Sequence, residues 1–160
     1  MLEEIVSDSV IDQAYQWLCK RRKDYTHNNN VWHLRFRWIQ IKPQLQADLH
    51  AGHYRFHPLQ RYQFGGEYIE VWAAMDVLVL KTIAIVLGKR VNLPQCCTHL
   101  KGNGSAKAEV RGVVENLPGH PFVFRSDVKG YYASINHEIL MDQLRGKIQD
   151  RIVLNLKCRC

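Results

Sequence analysis

The sequence predicts an α+β chain with helices first, then a β-hairpin, a buried helix, and finally a strand. Three observations indicate this class: helical spacing of apolar residues within the first 50 positions, a glycine pair at Gly65-Gly66 between two extended segments, and a continuous apolar stretch at Ala73–Leu87. The chain has 160 residues, 46% apolar and 23% charged, which is ordinary globular composition and enough to bury a core.

The first 50 residues predict helices separated by polar breaks. Ser9 is a plausible N-cap for a first helix that should run to about Tyr25. Four residues follow Ser9 at helical spacing: Ile11, Ala14, Tyr15 and Leu18. Asn30 can cap a second helix, although the apolar alternation that follows is partly strand-like. Pro43 can open a further short helix that ends near Gly52.

The middle of the chain predicts a hairpin and a buried helix. Tyr54–Val71 contains two extended segments around the glycine pair. Ala73–Leu87 is apolar on nearly all sides, so we expect it to be a buried helix with Asp76 stabilised by the helix dipole. Another helix is expected to start near Ser105.

The stretch FVFRSDVKGYYASINHEIL is the most informative one. Phe122–Phe124 predicts a buried strand that carries Asp127 at its C-terminal end, followed by a turn at Gly130. Asn136 is a good N-cap for the helix that follows. The end of a core strand is a rigid place from which a carboxylate can reach a metal ion.

Charge and hydropathy narrow the partners and the compartment. The net charge of +7 suits a polyanion, either nucleic acid or an acidic membrane. The N-terminus carries acids and no long apolar segment, and the most apolar window, Val71–Gly88, is short and contains Asp76 and Lys81. We therefore expect a cytoplasmic protein without a membrane partner.

The stretch beginning at Asp127 resembles motif A of reverse transcriptases, in the bacterial group II intron-like branch. The matching positions are Asp127, Val128, Lys129, Gly130, Tyr131, Tyr132, Ile135 and His137. Five upstream pieces resemble the same branch, in the same order: WLCKRR (Trp17–Arg22), VWHLRFRW (Val31–Trp38), AGHYRFHP (Ala51–Pro58), VWAAMDVLVLK (Val71–Lys81) and THLKGNGSAKA (Thr98–Ala108). The resemblance implies a helical N-terminal region at 1–50, fingers at 51–118, and the start of a palm with its sheet at 119–160.

The family's activity is RNA-directed DNA polymerisation with two Mg²⁺ ions. The resemblance implies that Asp127 is the catalytic residue and first metal ligand, with the carbonyl of Val128 as a second oxygen ligand. It implies that Tyr132 excludes a 2′-hydroxyl and that Val128, Lys101 and Lys107 contact the nucleotide. The implied partners are an RNA template, a DNA primer or RNA–DNA hybrid, and deoxynucleoside triphosphates.

Basic side chains are the candidate nucleic-acid ligands. They are Lys20, Arg21, Arg22 and Lys23 in one run, and Arg55 and Arg61 interleaved with aromatic residues near the hairpin. The alternatives are a solvated helix face for the run and an ordinary amphipathic hairpin for the two arginines. Many relatives carry an arginine near Glu67 that meets the triphosphate, whereas this chain has acid there.

The family's second acidic motif, [YF]-x-D-D, has no counterpart in these 160 residues, which contain no Asp-Asp pair. We therefore expect the chain to be inactive alone and truncated, with a C-terminal palm and thumb piece as a further partner. This leaves its own enzymatic activity open. The alternatives are a non-catalytic, maturase-like RNA-binding protein and a decayed gene fragment.

Overall fold

The structure is a computed structural model that describes residues 1–90 and 105–156. These residues belong to two units: residues 1–90 with 141–156, and residues 105–140. Both consist mainly of helices, and the part of the chain described holds one two-stranded antiparallel sheet. The predicted α+β class is confirmed.

Four helices form the first half of the larger unit: α1 (Leu2–Ile5), α2 (Asp8–Arg21), α3 (Asn30–Phe36) and α4 (Trp38–His50). The N-cap of α2 is Ser7, two residues before the predicted one, because the Ser7 hydroxyl donates to the Glu4 carbonyl at 2.7 Å and closes α1 there. The N-cap of α3 is Asn29, whose side chain accepts from the Val31 amide at 3.1 Å. Helices are therefore confirmed, with boundaries shifted by a few residues.

Helix α4 starts before Pro43, in contrast to the prediction. The amides of Gln40 and Ile41 donate to the Arg37 carbonyl at 3.0 and 2.9 Å, so the first turn forms directly after α3. Pro43 lacks the amide that would bond to the Ile39 carbonyl. Both Pro43 and Ile39 are exposed, so water can satisfy that carbonyl instead.

The hairpin consists of β1 (Gln60–Phe64) and β2 (Glu67–Val71), with Gln60 opposite Val71 and Arg61 opposite Glu70. Its two-residue loop is Gly65-Gly66, with φ values of +59° and +89°. Two positive φ values are what the tightest hairpin turns require, and glycine adopts them without steric cost. The hairpin prediction is confirmed.

The apolar stretch after the hairpin forms α5 (Ala74–Arg90), which packs against α2 as the predicted buried helix. The largest fully buried aliphatic side chains of the core are Ile5, Ile11, Leu18, Val31, Leu49, Leu78, Val79 and Val86. No helix among the residues with assigned structure has both the length and the apolar character needed to cross a membrane.

The last described segment completes this core. Helix α9 (Arg151–Asn155) is capped by Asp150, which accepts from the amides of Ile152 and Val153. The other Asp150 oxygen accepts from the Leu2 amide at 2.9 Å, which joins the two ends of the described chain.

The smaller unit holds α6 (Ala106–Asn116), a 3-10 turn at Leu117–Gly119, α7 (Tyr131–Ser134) and the start of α8 (His137–Arg145). The predicted helix start near Ser105 and the predicted cap at Asn136 are confirmed: the Ser105 side chain accepts from the Ala108 amide at 3.4 Å, and Asn136 accepts from the Glu138 amide at 2.9 Å.

The predicted buried strand at Phe122–Phe124 is not observed. No strand is assigned there, and Phe122 and Phe124 are 89% and 91% exposed. A strand needs a neighbour to satisfy its backbone hydrogen bonds, and residues 105–140 contain no strand to supply one. The expected start of a palm sheet is therefore corrected to a segment that is neither helix nor strand within the residues described.

Candidate functional site

The Asp127 segment is a turn that leads into a short helix. Gly130 has φ +65° and ψ 34° and is the N-cap of α7. This left-handed conformation strains any residue with a Cβ, so glycine is needed at this position. Asp127 lies three residues before Gly130 and is exposed, and one of its carboxylate oxygens accepts from the Val128 amide at 2.9 Å. The carboxylate is thus turned towards its own backbone at the start of the turn.

Tyr132 follows on the other side of the same turn. Its side chain is 86% exposed, and its ring meets the Tyr131 ring edge to face with centroids 5.3 Å apart. Val128, also predicted to contact the nucleotide, is 61% exposed. The segment therefore offers a carboxylate, a backbone carbonyl and two aromatic rings on a short, exposed turn.

This segment does not by itself make a magnesium site. Mg²⁺ takes near-octahedral oxygen coordination, and a two-metal site needs several carboxylates. No group of three or more His, Cys, Asp or Glu side chains that could hold a metal occurs in residues 1–90 or 105–156. Asp127 and the Val128 carbonyl would be two ligands of a larger set, so no catalytic step follows from these residues alone.

Of the two lysines predicted to bind the nucleotide, Lys107 lies in the described part of the chain. Lys107 is exposed in the first turn of α6, close to amide groups that favour an anion. Lys101 lies outside the described residues.

Three of the four basic residues at and just after the end of α2 are exposed: Lys20, Arg21 and Lys23. Arg22 differs, because only 6% of it is exposed. Its guanidinium donates to the Trp72 carbonyl at 3.0 Å and to the Asn30 side chain at 3.5 Å, and it lies 5.3 Å from the centroid of the Tyr25 ring. Arg22 therefore ties α2 to the end of the hairpin and is not placed to contact a phosphate.

The hairpin arginines also have partners. Arg61 donates twice to Glu70 on the opposite strand, at 3.1 and 2.7 Å, and lies 5.6 Å from the centroid of the Tyr68 ring. Arg55 donates from one nitrogen to the carbonyls of Gly52 and Tyr54, both at 2.8 Å. A phosphate at Arg61 would therefore compete with Glu70. Arg55 is exposed and has further guanidinium N–H groups besides those on this nitrogen.

Asp76 lies in the first turn of α5, as predicted, and it is also the acceptor of a buried hydrogen-bond cluster. Its carboxylate is fully buried and accepts from the Tyr54 hydroxyl at 2.6 Å, the His57 amide at 3.1 Å and the His57 ring at 3.0 Å, with the ring proton assigned to Nδ1 from this geometry. Burial, followed by the bond to Asp76, raises the pKa of Tyr54. The cluster holds the segment that leads into β1 against the first turn of α5.

Sequence reasoning missed this cluster and the role of Arg22. The sequence signal for the cluster was Asp76, a single acid in an otherwise apolar helix, with Tyr54 and His57 lying 22 and 19 positions before it. Nothing local marked Arg22, whose main partner is 50 residues away in sequence.

No protein-family model matches this chain, and no curated protein is significantly similar to it. The resemblance to reverse transcriptases therefore depends on the motif residues and on their order along the chain.

Proposed function

We propose that this chain forms the fingers and the first part of the palm of an RNA-directed DNA polymerase. The observation that carries the proposal is the turn from Asp127 to Tyr132. The glycine of the motif stands where the backbone has positive φ, and the two side chains that the family uses are exposed on either side of it. Asp127 is the proposed metal ligand, and Tyr132 is the proposed wall beneath the nucleotide sugar.

The proposed partners are an RNA template, a DNA primer or RNA–DNA hybrid, and a deoxynucleoside triphosphate. The net charge of +7 and the exposed Lys20, Arg21 and Lys23 support a polyanionic partner. Lys107, at the start of α6, and the exposed part of Arg55 support further phosphate contacts. Arg22 is left out of this surface because its guanidinium is bonded inside the protein.

Polymerase activity requires carboxylates beyond Asp127. The proposal therefore includes a palm and thumb segment that supplies them, and Mg²⁺ belongs to it only together with those ligands. RNA-templated primer extension is the test, using a protein that joins this chain to the coding sequence that follows it at its locus.

Asp127→Ala is the decisive variant, with Asp24→Ala as the control because the Asp24 side chain is 84% exposed and, within residues 1–90 and 105–156, pairs only with Lys23, at 3.9 Å. We expect extension to be abolished by Asp127→Ala and retained by Asp24→Ala. Extension that survives Asp127→Ala would exclude the metal-ligand assignment. A joined protein that folds but never extends a primer would exclude the polymerase.

A second candidate function is RNA binding without catalysis. It is favoured by the basic net charge of +7, together with a sequence of 160 residues that contains no Asp-Asp pair. The test is the affinity of this chain for structured RNA between low and high salt, which should fall steeply because each phosphate contact releases counterions. Removing Lys20, Arg21 and Lys23 should flatten this dependence more than removing Lys89, Arg90 and Lys147, three exposed cations elsewhere in the larger unit.

A further inference from the structure

The junction of α3 and α4 presents two large apolar side chains to solvent. Phe36 ends α3, Ile39 is the second residue of α4, and each is 88% exposed. Tyr68 comes next among the large hydrophobic side chains described in residues 1–90, at 65%. An exposed apolar patch with a polar rim is typical of an interaction site.

Two arginines flank these side chains. Arg35 precedes Phe36, Arg37 follows it, and both are exposed. No carboxylate in the described part of the chain forms an ion pair with either of them. We call Arg35, Phe36, Arg37 and Ile39 the α3–α4 corner.

The backbone that carries the corner is held on both sides by aromatic contacts. The Arg35 guanidinium lies 4.6 Å from the centroid of the Trp32 ring, and the Trp32 indole donates to the carbonyls of Tyr25 and Thr26 at 3.2 and 3.0 Å. On the other side, Trp38 stacks on Tyr15 with centroids 4.0 Å apart and planes 5° from parallel. An ordered surface loses little conformational freedom when it binds a ligand.

We propose that the α3–α4 corner binds single-stranded RNA, with a base stacked on Phe36 and phosphates contacted by Arg35 and Arg37. An exposed ring on a segment that also carries two exposed arginines offers the two contacts that proteins make with single strands, base stacking and phosphate pairing. Two apolar side chains are too few for a stable protein interface, which buries about 800 Å² on each partner. In the polymerase the bound strand would be the template, so the inference rests on the proposed function but adds a surface outside its basic residues.

The experiment measures binding of a fluorescein-labelled single-stranded RNA of about 16 nucleotides to the whole chain by fluorescence anisotropy. Phe36→Leu keeps an apolar side chain without a stacking face, and Phe36→Tyr keeps the ring. We expect affinity to fall about tenfold in Phe36→Leu and to stay near that of the wild type in Phe36→Tyr. Since Phe36 is exposed, both variants should unfold at the same urea concentration as the wild type.

The charge contribution is tested through the salt dependence of the same affinity. Arg37→Gln should reduce the slope of log K against log salt by about 0.7, the value for one phosphate contact with a single strand. Lys147→Gln makes the same charge change at another exposed site and should leave the slope closer to that of the wild type.

The outcomes separate this inference from the proposed function. The corner is overturned if Phe36→Leu leaves the RNA affinity unchanged and Arg37→Gln and Lys147→Gln give the same salt slope. The proposed function would then still stand. A wild-type chain that binds no RNA would overturn the corner and the RNA-binding candidate, whereas primer extension by the joined protein tests the polymerase separately. A dimer that dissociates on Phe36→Asp would show that a second copy covers the corner, which also overturns the RNA assignment.

Discussion

The Tyr54 hydroxyl donates a 2.6 Å hydrogen bond to the carboxylate of Asp76, and both side chains are buried. Tyr54 precedes the hairpin and Asp76 follows it, so this one bond closes a loop of more than twenty residues. Arg22 makes the second connection, from α2 to the Trp72 carbonyl at the other end of the hairpin. Both ends of the hairpin are therefore fastened to the helices, while most of its own side chains are exposed.

Tyr54→Phe is expected to destabilise the protein by about 2 kcal/mol, because it removes a buried hydrogen bond to a carboxylate. Urea unfolding followed by circular dichroism measures the change. Tyr62→Phe is the matched control, since the Tyr62 hydroxyl donates to Gln60 on an exposed part of the hairpin and should matter little. If the two variants lose the same free energy of unfolding, the bond to Asp76 stabilises the protein no more than the exposed bond to Gln60 does.

Arg22→Met should destabilise the protein by about 1–3 kcal/mol, because it leaves the Trp72 carbonyl without its guanidinium donor and leaves the Asn30 side chain with only the Ala74 amide. Lys20→Met and Lys23→Met, in the same basic run but exposed, should change stability by less than about 0.5 kcal/mol. Thermal unfolding of the three variants checks this difference. A neutral Arg22→Met would contradict the structural role and return Arg22 to the phosphate-binding candidates.

Gly130→Ala is expected to destabilise the smaller unit by about 1–2 kcal/mol, because φ at Gly130 is +65°. Gly112→Ala, within α6, should instead stabilise it by about 0.5–1 kcal/mol, since alanine favours a helix. A Cβ at either position meets no atom within 4 Å in the described structure, so backbone conformation alone separates the two variants. Differential scanning calorimetry gives both values, and changes of the same sign would count against the turn.

The ion pairs of Lys42 predict a pH dependence. Hydrogen bonds to Asp12 and Asp8 raise the pKa of Lys42 above its ordinary 10.5, and the same contact lowers the pKa of Asp8 below 3.8. Stabilisation through Asp8 is therefore present above pH 3.8 and is lost as the pH falls below it. Stabilisation through Lys42 is present below pH 10.5 and is lost as the pH rises above it.

Lys42→Met should consequently lower the urea midpoint at pH 7, and the difference from the wild type should shrink at pH values below the 3.8 of a free aspartate. Lys147→Met replaces an exposed lysine and should show no such pH dependence. A midpoint difference for Lys42→Met that is the same in acid and at neutrality would rule out the contribution of the pair with Asp8.

The sequence by itself determined the features that depend on neighbours a few positions apart. Four features are of this kind, because each follows from local geometry or from periodicity: the helix start near Ser105, the cap at Asn136, the Gly65-Gly66 hairpin turn and the apolar α5. The motif stretch from Asp127 to Tyr132 was likewise found from its own residues, including the glycine at positive φ.

Only the tertiary structure decided what the polar and apolar side chains of these elements do. Arg22 belongs to a basic run by sequence, but its bond to Trp72 crosses 50 positions and removes it from the surface. Asp76 became a buried acceptor because Tyr54 and His57 reach it from before the hairpin. Phe122–Phe124 has the composition of a core strand yet remains exposed, because burial and pairing require a neighbouring strand that composition cannot supply.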